Sequence, residues 1–394
     1  MIISNIIPWS DNWWIEGSKA WFIIGAKNVL CCFDMDRNEC DVMIEIPERS
    51  ESKFRTAAFC MKYHDDVFCF PVSGSSIWIY SVGSGLFSEI NIVNQHMAGL
   101  EMHDFWEYNG KIFVVSIGIR RIFEINTEEK RVENDYALGQ GERIARSVKA
   151  GTAIYTLSGM FQRIYRFDLF TKETEAYELP QIGRKYSTIC FDEDGFWLGG
   201  CRKEICRWNK KENIIDIYDG LFKEDMDGSE GSASEEPDTP LFLQTVTVGK
   251  YHWFIPFQMN EIIYVDRQYH KAYKFEIAEE FESKDSVLAR KIFKAKYILE
   301  YVREDRYLGL FSIKNNQIVE IDAETKTYRW CEYKLGDQSI RKCAELVGNE
   351  LDECNIWDRE VFRKIIKMGN HNIRHGESKK VGIDIHREVI KAIE

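Results

Sequence analysis

Residues 154–180 read IYTLSGMFQRIYRFDLFTKETEAYELP: an apolar run, a basic loop, a second apolar run closed by Asp168, a polar turn and a third run. Short runs rich in Tyr, Ile, Phe and Leu, bounded by Gly, Asp and Thr, predict three antiparallel strands. Whether this is one hairpin in an ordinary sheet or one copy of a repeat decides the architecture of the whole chain. The same order of parts returns in 20–47 (AWFIIGAKNVLCCFDMDRNECDVMIEIP), 67–92, 111–138, 195–220, 252–277 (HWFIPFQMNEIIYVDRQYHKAYKFEI) and 307–335. Seven copies therefore fill the chain to about residue 335.

The mark at the end of the second run falls at Asp34, Tyr80, Asn126, Asp168, Asn209, Asp266 and Asp322, in steps of 46, 46, 42, 41, 57 and 56 residues. Before each later copy lies one more strand-like run with a turn, as in RTAAFCMKYHDD (55–66) and STICFDEDG (187–195). A period of 40–50 residues with four strands per unit predicts an all-β, seven-bladed β-propeller over residues 1–335. The Asp or Asn has a plain task, since its short side chain accepts backbone N–H groups of the turn that follows. MIISNII (1–7) is left over and is a candidate fifth strand for the last blade.

The strand, Gly-containing loop, Y-x-F-D strand and T-x-x-x-x-x-x-L turn resemble bacterial kelch-like propeller repeats. The resemblance covers about the first 335 residues; the Gly pair occurs once, at Gly199 and Gly200, and the fourth-strand Trp once, at Trp330. It implies that the loops joining second to third strands and those joining one blade to the next share one face around a central channel, where ligands bind.

Two long steps carry insertions. Residues 221–240, around DGLFKEDMDGSEGSASEEPDTPLF, are rich in Ser, Gly and acids and cannot bury enough apolar surface to offset their ordering entropy, so a mobile acidic insertion is expected. IAEEFESKDSVLARK (277–291) predicts a short helix. From 336 to 394 the period changes: Trp357, Val361, Ile365 and Met368, then Ile385, Val389 and Ile393, predict an α-helical C-terminal extension.

Composition bounds the rest. At 44% apolar and 13% aromatic the chain can build a large core without a metal or disulfide. Eleven cysteines, an odd number with no C-x-x-C pair, read as core thiols in a reducing compartment. With no secretory signal pattern and no apolar run of about 18 residues, a cytoplasmic protein without membrane insertion is expected. The net charge of −12 argues against nucleic-acid binding, which needs a basic surface.

On the implied ligand face the balance reverses. The second-to-third-strand loops hold Lys27, Arg120, Arg121, Arg163, Arg202, Lys203 and Lys314 against Glu204 and Glu261. The blade connections add Arg55, Arg146, Arg184 and Lys185, with Arg55, Arg146 and Lys185 next to inner strands. Guanidinium groups suit carboxylates and phosphates, and a concave mouth of one sign concentrates the opposite sign. The ligand-binding candidates are therefore Arg55, Arg120, Arg146, Arg163, Arg184, Lys185 and Arg202. The expected partner is an acidic protein segment or an anionic small molecule such as a phosphorylated or acidic sugar. The acidic insertion emerges on this face and is a candidate electrostatic lid over it.

Catalytic groups are sparse. His96, His103 and Asp104 lie at the entry to blade three and could form a general base with a carboxylate, with Tyr186 a further candidate. Tyr63, His64, Asp65 and Asp66 fall in a turn on the opposite face, where Asp pairs are ordinary turn chemistry. His371 and His375 are four apart between glycines with no third ligand, so no metal site is predicted. No nucleophile-elbow, Walker A, dinucleotide-binding or zinc-protease motif occurs, and no cofactor is expected. Three functions remain open: a non-catalytic binding or scaffold propeller, a carbohydrate-active propeller enzyme of mutarotase, oxidase or lyase type, and a structural assembly subunit whose C-terminal helices mediate oligomers.

Overall fold

The computed structural model describes residues 12–336, apart from 25–27, 48–56, 73, 93–99, 140–143, 159–162, 181–183, 223–239, 257–260, 279–296, 313–316, 332 and 334–335. Among the described residues, twenty-eight strands form seven antiparallel sheets of four, each from consecutive strands. The blades span 14–45, 57–91, 102–137, 144–178, 186–218, 242–275 and 297–331. The all-β, seven-bladed propeller expected from the repeat is the observed fold. The acidic insertion, His371, His375 and the stretches expected to be helical lie almost wholly outside the described residues, as does MIISNII.

Strand composition explains the blades. The second strands Lys19–Ile24, Lys111–Ser116 and Tyr251–Pro256 are buried at every position after the first, because neighbouring blades cover both faces of each sheet. The outer strands, such as Glu39–Glu45 and Arg131–Ala137, alternate or face solvent and are correspondingly polar. Seven apolar clusters fill the seven blade-to-blade interfaces. One of them joins Phe22 and Phe33 of blade 1 to Tyr301 and Phe311 of blade 7, so packing closes the ring. Trp13 rivets that seam: its ring stacks on Phe22 at 4.9 Å and on Tyr301 at 5.5 Å, and its backbone N–H donates to the Glu300 carbonyl at 2.8 Å.

The turn after each third strand uses the expected side chain. Asp168 Oδ1 accepts the N–H groups of Phe170 and Thr171 at 2.9 and 3.0 Å, and Asp34, Asn126, Asn209, Asp266 and Asp322 repeat the pattern. Blade 2 departs from it, since the third strand ends at Ser81, one residue beyond Tyr80, and Asp65 of the neighbouring turn caps Gly83 N–H at 2.9 Å instead.

The fifth residue of this turn has positive φ in every blade: Asn38, Gly85, Lys130, Lys172, Asn213, His270 and Lys326. A non-glycine residue there costs roughly 1 kcal/mol. Four of these side chains reach the preceding blade: Lys130 meets Asp66 at 2.7 Å, Lys172 meets Glu124 at 3.2 Å, His270 meets Asp192 at 3.2 Å, and the Lys326 ammonium lies 3.0 Å from the centroid of the Tyr251 ring. The turn thus doubles as a strut between blades.

The Glu124 strut gives the fold a pH dependence. Its carboxylate, 1% exposed, takes Lys111 at 2.7 Å, Tyr136 at 2.5 Å and Asn134 at 3.1 Å besides Lys172. Burial raises its pKa, but the bonds from Lys111, Tyr136 and Asn134 outweigh burial and hold it at about 2, below the ordinary 4.5. A depressed carboxylate contributes stability that is complete above pH about 4.5 and is lost as pH falls through about 2. Over that window denaturant titrations should show a loss on the order of 2 kcal/mol that Glu124→Gln lacks; equal slopes for the two proteins would refute the assignment.

Candidate functional site

Seven inner strands surround the channel: Trp14–Glu16, Ala57–Tyr63, Met102–Tyr108, Ile144–Ala150, Tyr186–Asp192, Phe242–Val248 and Tyr297–Arg303. Six carry a register shift against the second strand, at Ala58, His103, Ala145, Ser187, Leu243 and Glu300. A bulge bends its strand and often marks an active site. Here its recurrence around the ring makes it part of the architecture, so the bulge at His103 does not by itself single that residue out.

Between the inner strands of blades 3 and 4 the structure brings together two expected site residues. Arg146 Nη1 lies 3.6 Å from Asp104 Oδ1, and the N–H of Ser147 donates to Asp104 Oδ2 at 2.8 Å. Burial raises the Asp104 pKa, with Arg146 and the Ser147 N–H opposing it. The His103 ring lies against Phe59 with centroids 4.8 Å apart. Arg146 sits within its strand, one residue past the bulge, rather than before the strand as the sequence suggests.

The next blade contributes the largest cationic group. Arg184 is hydrogen-bonded to Glu204 through both Nε and Nη2, the latter at 3.1 Å, and the two side chains are only 16% and 11% exposed. Lys185 follows it, exposed, immediately before the inner strand, and Arg202 is exposed in the facing loop. Arg163 pairs with Glu178 across the third and outer strands of blade 4. Arg120 occupies a left-handed turn position at φ 58°. Tyr186 is 4% exposed, and burial drives its hydroxyl pKa far above 10, which removes it as a base near neutral pH. Arg55 and His96 lie outside the described residues.

Of the cations expected on this face, Arg121, Arg146, Arg163 and Arg184 hold carboxylates, those of Asp135, Asp104, Glu178 and Glu204. Sequence reading counted Glu204 in the loop total but had no signal for its bidentate contact with Arg184. It also had none for Asp104 reaching across to blade 4. Among the described cysteines, seven of nine are buried, and burial pushes the Cys32, Cys190 and Cys206 thiols up to about 12, so the core reading of these residues agrees with their surroundings. No helix among the described residues is long and apolar enough to cross a membrane.

No family model and no curated protein matches the chain. Solved propellers do resemble it in fold. Virginiamycin B lyase from Staphylococcus aureus shares 14% identity at a TM-score of 0.53, over 78% of this chain and 92% of the lyase. The computationally designed protein Ika8 shares 8% at 0.53, over 84% and 87%. PorZ, an essential surface component of the type-IX secretion system of Porphyromonas gingivalis, shares 9% at 0.53, over 84% of this chain and 38% of its own. At these identities the likeness is one of architecture, and architecture hosts unrelated functions.

Proposed function

We propose that the protein is a non-catalytic binding propeller that holds an acidic protein segment or small anion on the face of its second-to-third-strand loops and blade connections. The observation that carries this reading is the grouping of Arg146, Arg184, Lys185 and Arg202 at one end of consecutive blades 4 and 5, in a chain of net charge −12. Asp104 and Glu204 pin two of the guanidinium groups. A pinned arginine loses less side-chain freedom on meeting a second anion. In this reading the segment beyond residue 336, with its helical periodicity, is a docking element, and the acidic insertion competes for the mouth.

One observation favours the enzyme reading. Burial raises the Asp104 carboxyl pKa beside His103, which is how a general acid is prepared. A carbohydrate substrate at the channel mouth would use it. Against this stands the chemistry of its partners, since Arg146 and Ser147 N–H both stabilise the ionised, non-donating form.

The test uses a fluorescent oligoglutamate peptide and the full-length protein. Binding should weaken steeply as NaCl rises from about 50 to about 200 mM, and Lys185→Gln with Arg202→Gln should weaken it roughly tenfold at the lower salt. Affinity indifferent to both salt and substitutions would overturn the proposal.

A further inference from the structure

On the opposite face, the turn ending the inner strand of blade 5 meets the turn of blade 6 that carries His270. Asp192 is nearly buried, with a 5% exposed side chain, whereas Asp194 and His270 are 38% and 37% exposed. One ligand atom from each lies within 4.8 Å of the other two. Asp192 Oδ2 takes Trp197 Nε1 at 3.3 Å and His270 Nε2 at 3.2 Å, and Tyr218 O–H fixes the His270 carbonyl at 3.0 Å.

A buried histidine lies within electrostatic reach of this cluster. His252, wholly buried on the second strand of blade 6, interacts electrostatically with Asp192 of blade 5 and with Arg267 and His270 of its own blade. Its Nδ1 is 2.9 Å from the Thr247 hydroxyl, but its Nε2 has no hydrogen-bond partner among the described residues. A buried polar nitrogen without a partner costs of the order of 1–3 kcal/mol, so an isolated one calls for an explanation.

We propose that Asp192, Asp194 and His270 bind a divalent first-row transition ion, with Zn2+ the best fit, as a clip between blades 5 and 6. Two carboxylate oxygens and an imidazole nitrogen exceed what Mg2+ or Ca2+ selects, and suit Zn2+ or Mn2+. Ligands about 2.1 Å from one ion are at most about 4.2 Å apart, so a separation within 4.8 Å closes with small side-chain rotations. The ion replaces the contact between His270 Nε2 and Asp192 Oδ2, since a ligating imidazole presents a free lone pair.

The other struts give the same placement a precedent. Where Lys130 meets Asp66, the ammonium is the cation between blades. His270 occupies the equivalent turn position with a shorter ring that ligates rather than carries fixed charge. Arg207 Nη2 holds Asp194 Oδ1 at 2.5 Å and Arg267 Nε stands 3.9 Å from Asp192 Oδ1, so both guanidinium groups compete with the ion.

The experiment treats full-length protein with EDTA, removes the chelator, and follows Mn2+ by electron paramagnetic resonance and Zn2+ by equilibrium retention and thermal shift. Wild type should bind one equivalent of Mn2+, displaced by Zn2+ but not by equimolar Mg2+, and Zn2+ should raise the melting temperature by several degrees. His270→Ala and Asp194→Asn, checked for folding by near-ultraviolet circular dichroism, should lose at least tenfold in affinity, whereas His64→Ala should lose none. Arg267→Gln should bind at least threefold more tightly, an effect a merely structural turn would not show. No stoichiometric Mn2+ binding by wild type, or equal binding by His270→Ala, would overturn the proposal. The site is remote from the basic mouth, so this result is independent of oligoglutamate binding.

Discussion

Glu320→Ala should lower the stability of the fold by about 3–4 kcal/mol. Glu320 lies in the third strand of blade 7 with its side chain 1% exposed. Oε1 accepts Arg329 Nε at 2.9 Å and Nη2 at 2.6 Å; Oε2 accepts Arg303 Nη2 at 3.0 Å and the Tyr301 hydroxyl at 3.1 Å. Without the carboxylate, Arg329 turns to water at little cost because its side chain is already 68% exposed. Arg303, 22% exposed and packed over the Tyr307 ring, keeps the exposed Glu304 as its one carboxylate partner among the described residues, and the buried Tyr301 hydroxyl loses its carboxylate and is left with Tyr333. Burying a charge without its partner is what makes breaking such a pair expensive, even though forming it contributes little net stability. Glu320→Gln keeps the shape and one acceptor and should cost about half as much. Equilibrium denaturation by guanidinium measures both; a loss under 1 kcal/mol for the alanine variant would show that the network is dispensable.

Gly200→Ala should cost about 3 kcal/mol or more, whereas Gly199→Ala should cost about 1 kcal/mol. The difference lies in what an added Cβ meets. At Gly200 it would lie 1.9 Å from the Lys185 carbonyl oxygen and 3.0 Å from Tyr186 Cα, which are backbone atoms beside the Ser187 bulge. At Gly199 the nearest atoms, at 3.0–3.2 Å, belong to the side chains of Thr188, Phe254 and Phe242, which can shift by tenths of an ångström. Relief at Gly200 must move the Lys185 carbonyl, which accepts Cys201 N–H, while Gly200's own carbonyl accepts Leu241 N–H from the next blade. The substitution therefore strains the blade 5–6 junction and displaces a residue of the proposed mouth. Should the two alanine variants melt within a degree of each other, the close backbone approach is not what selects glycine at 200.

Much of the fold is legible because a propeller is periodic. Residues on second and third strands are buried on both faces, so they write themselves as apolar runs such as AWFII and IFVVS, and Asp or Asn marks the turn that follows. The mark falls one residue early, at Tyr80, in blade 2, where Ser81 stands at the Asx position and Asp65 of the preceding turn caps Gly83 instead. The candidate site was legible only in part. Loop topology placed Arg146, Arg184, Lys185 and Arg202 at one end, but side-chain pairing across blades leaves no local pattern. Asp104 finds Ser147 43 positions away, and Arg184 finds Glu204 after 20. The aspartates of STICFDEDG and the histidine of VDRQYHK each look like ordinary turn residues until the ring sets the two turns side by side.

By itself, then, the order of residues determined the strand count, the seven sheets and the sign of the charges at each loop, since these follow from local periodicity and turn chemistry. Only the tertiary structure decided which charges neutralise one another, how Trp13 seals blade 1 to blade 7, and that Asp192, Asp194 and His270 converge. The physical reason is range: strand and turn preferences act over a few residues, whereas ion pairs and ligand sets depend on distances that exist only once the ring has closed.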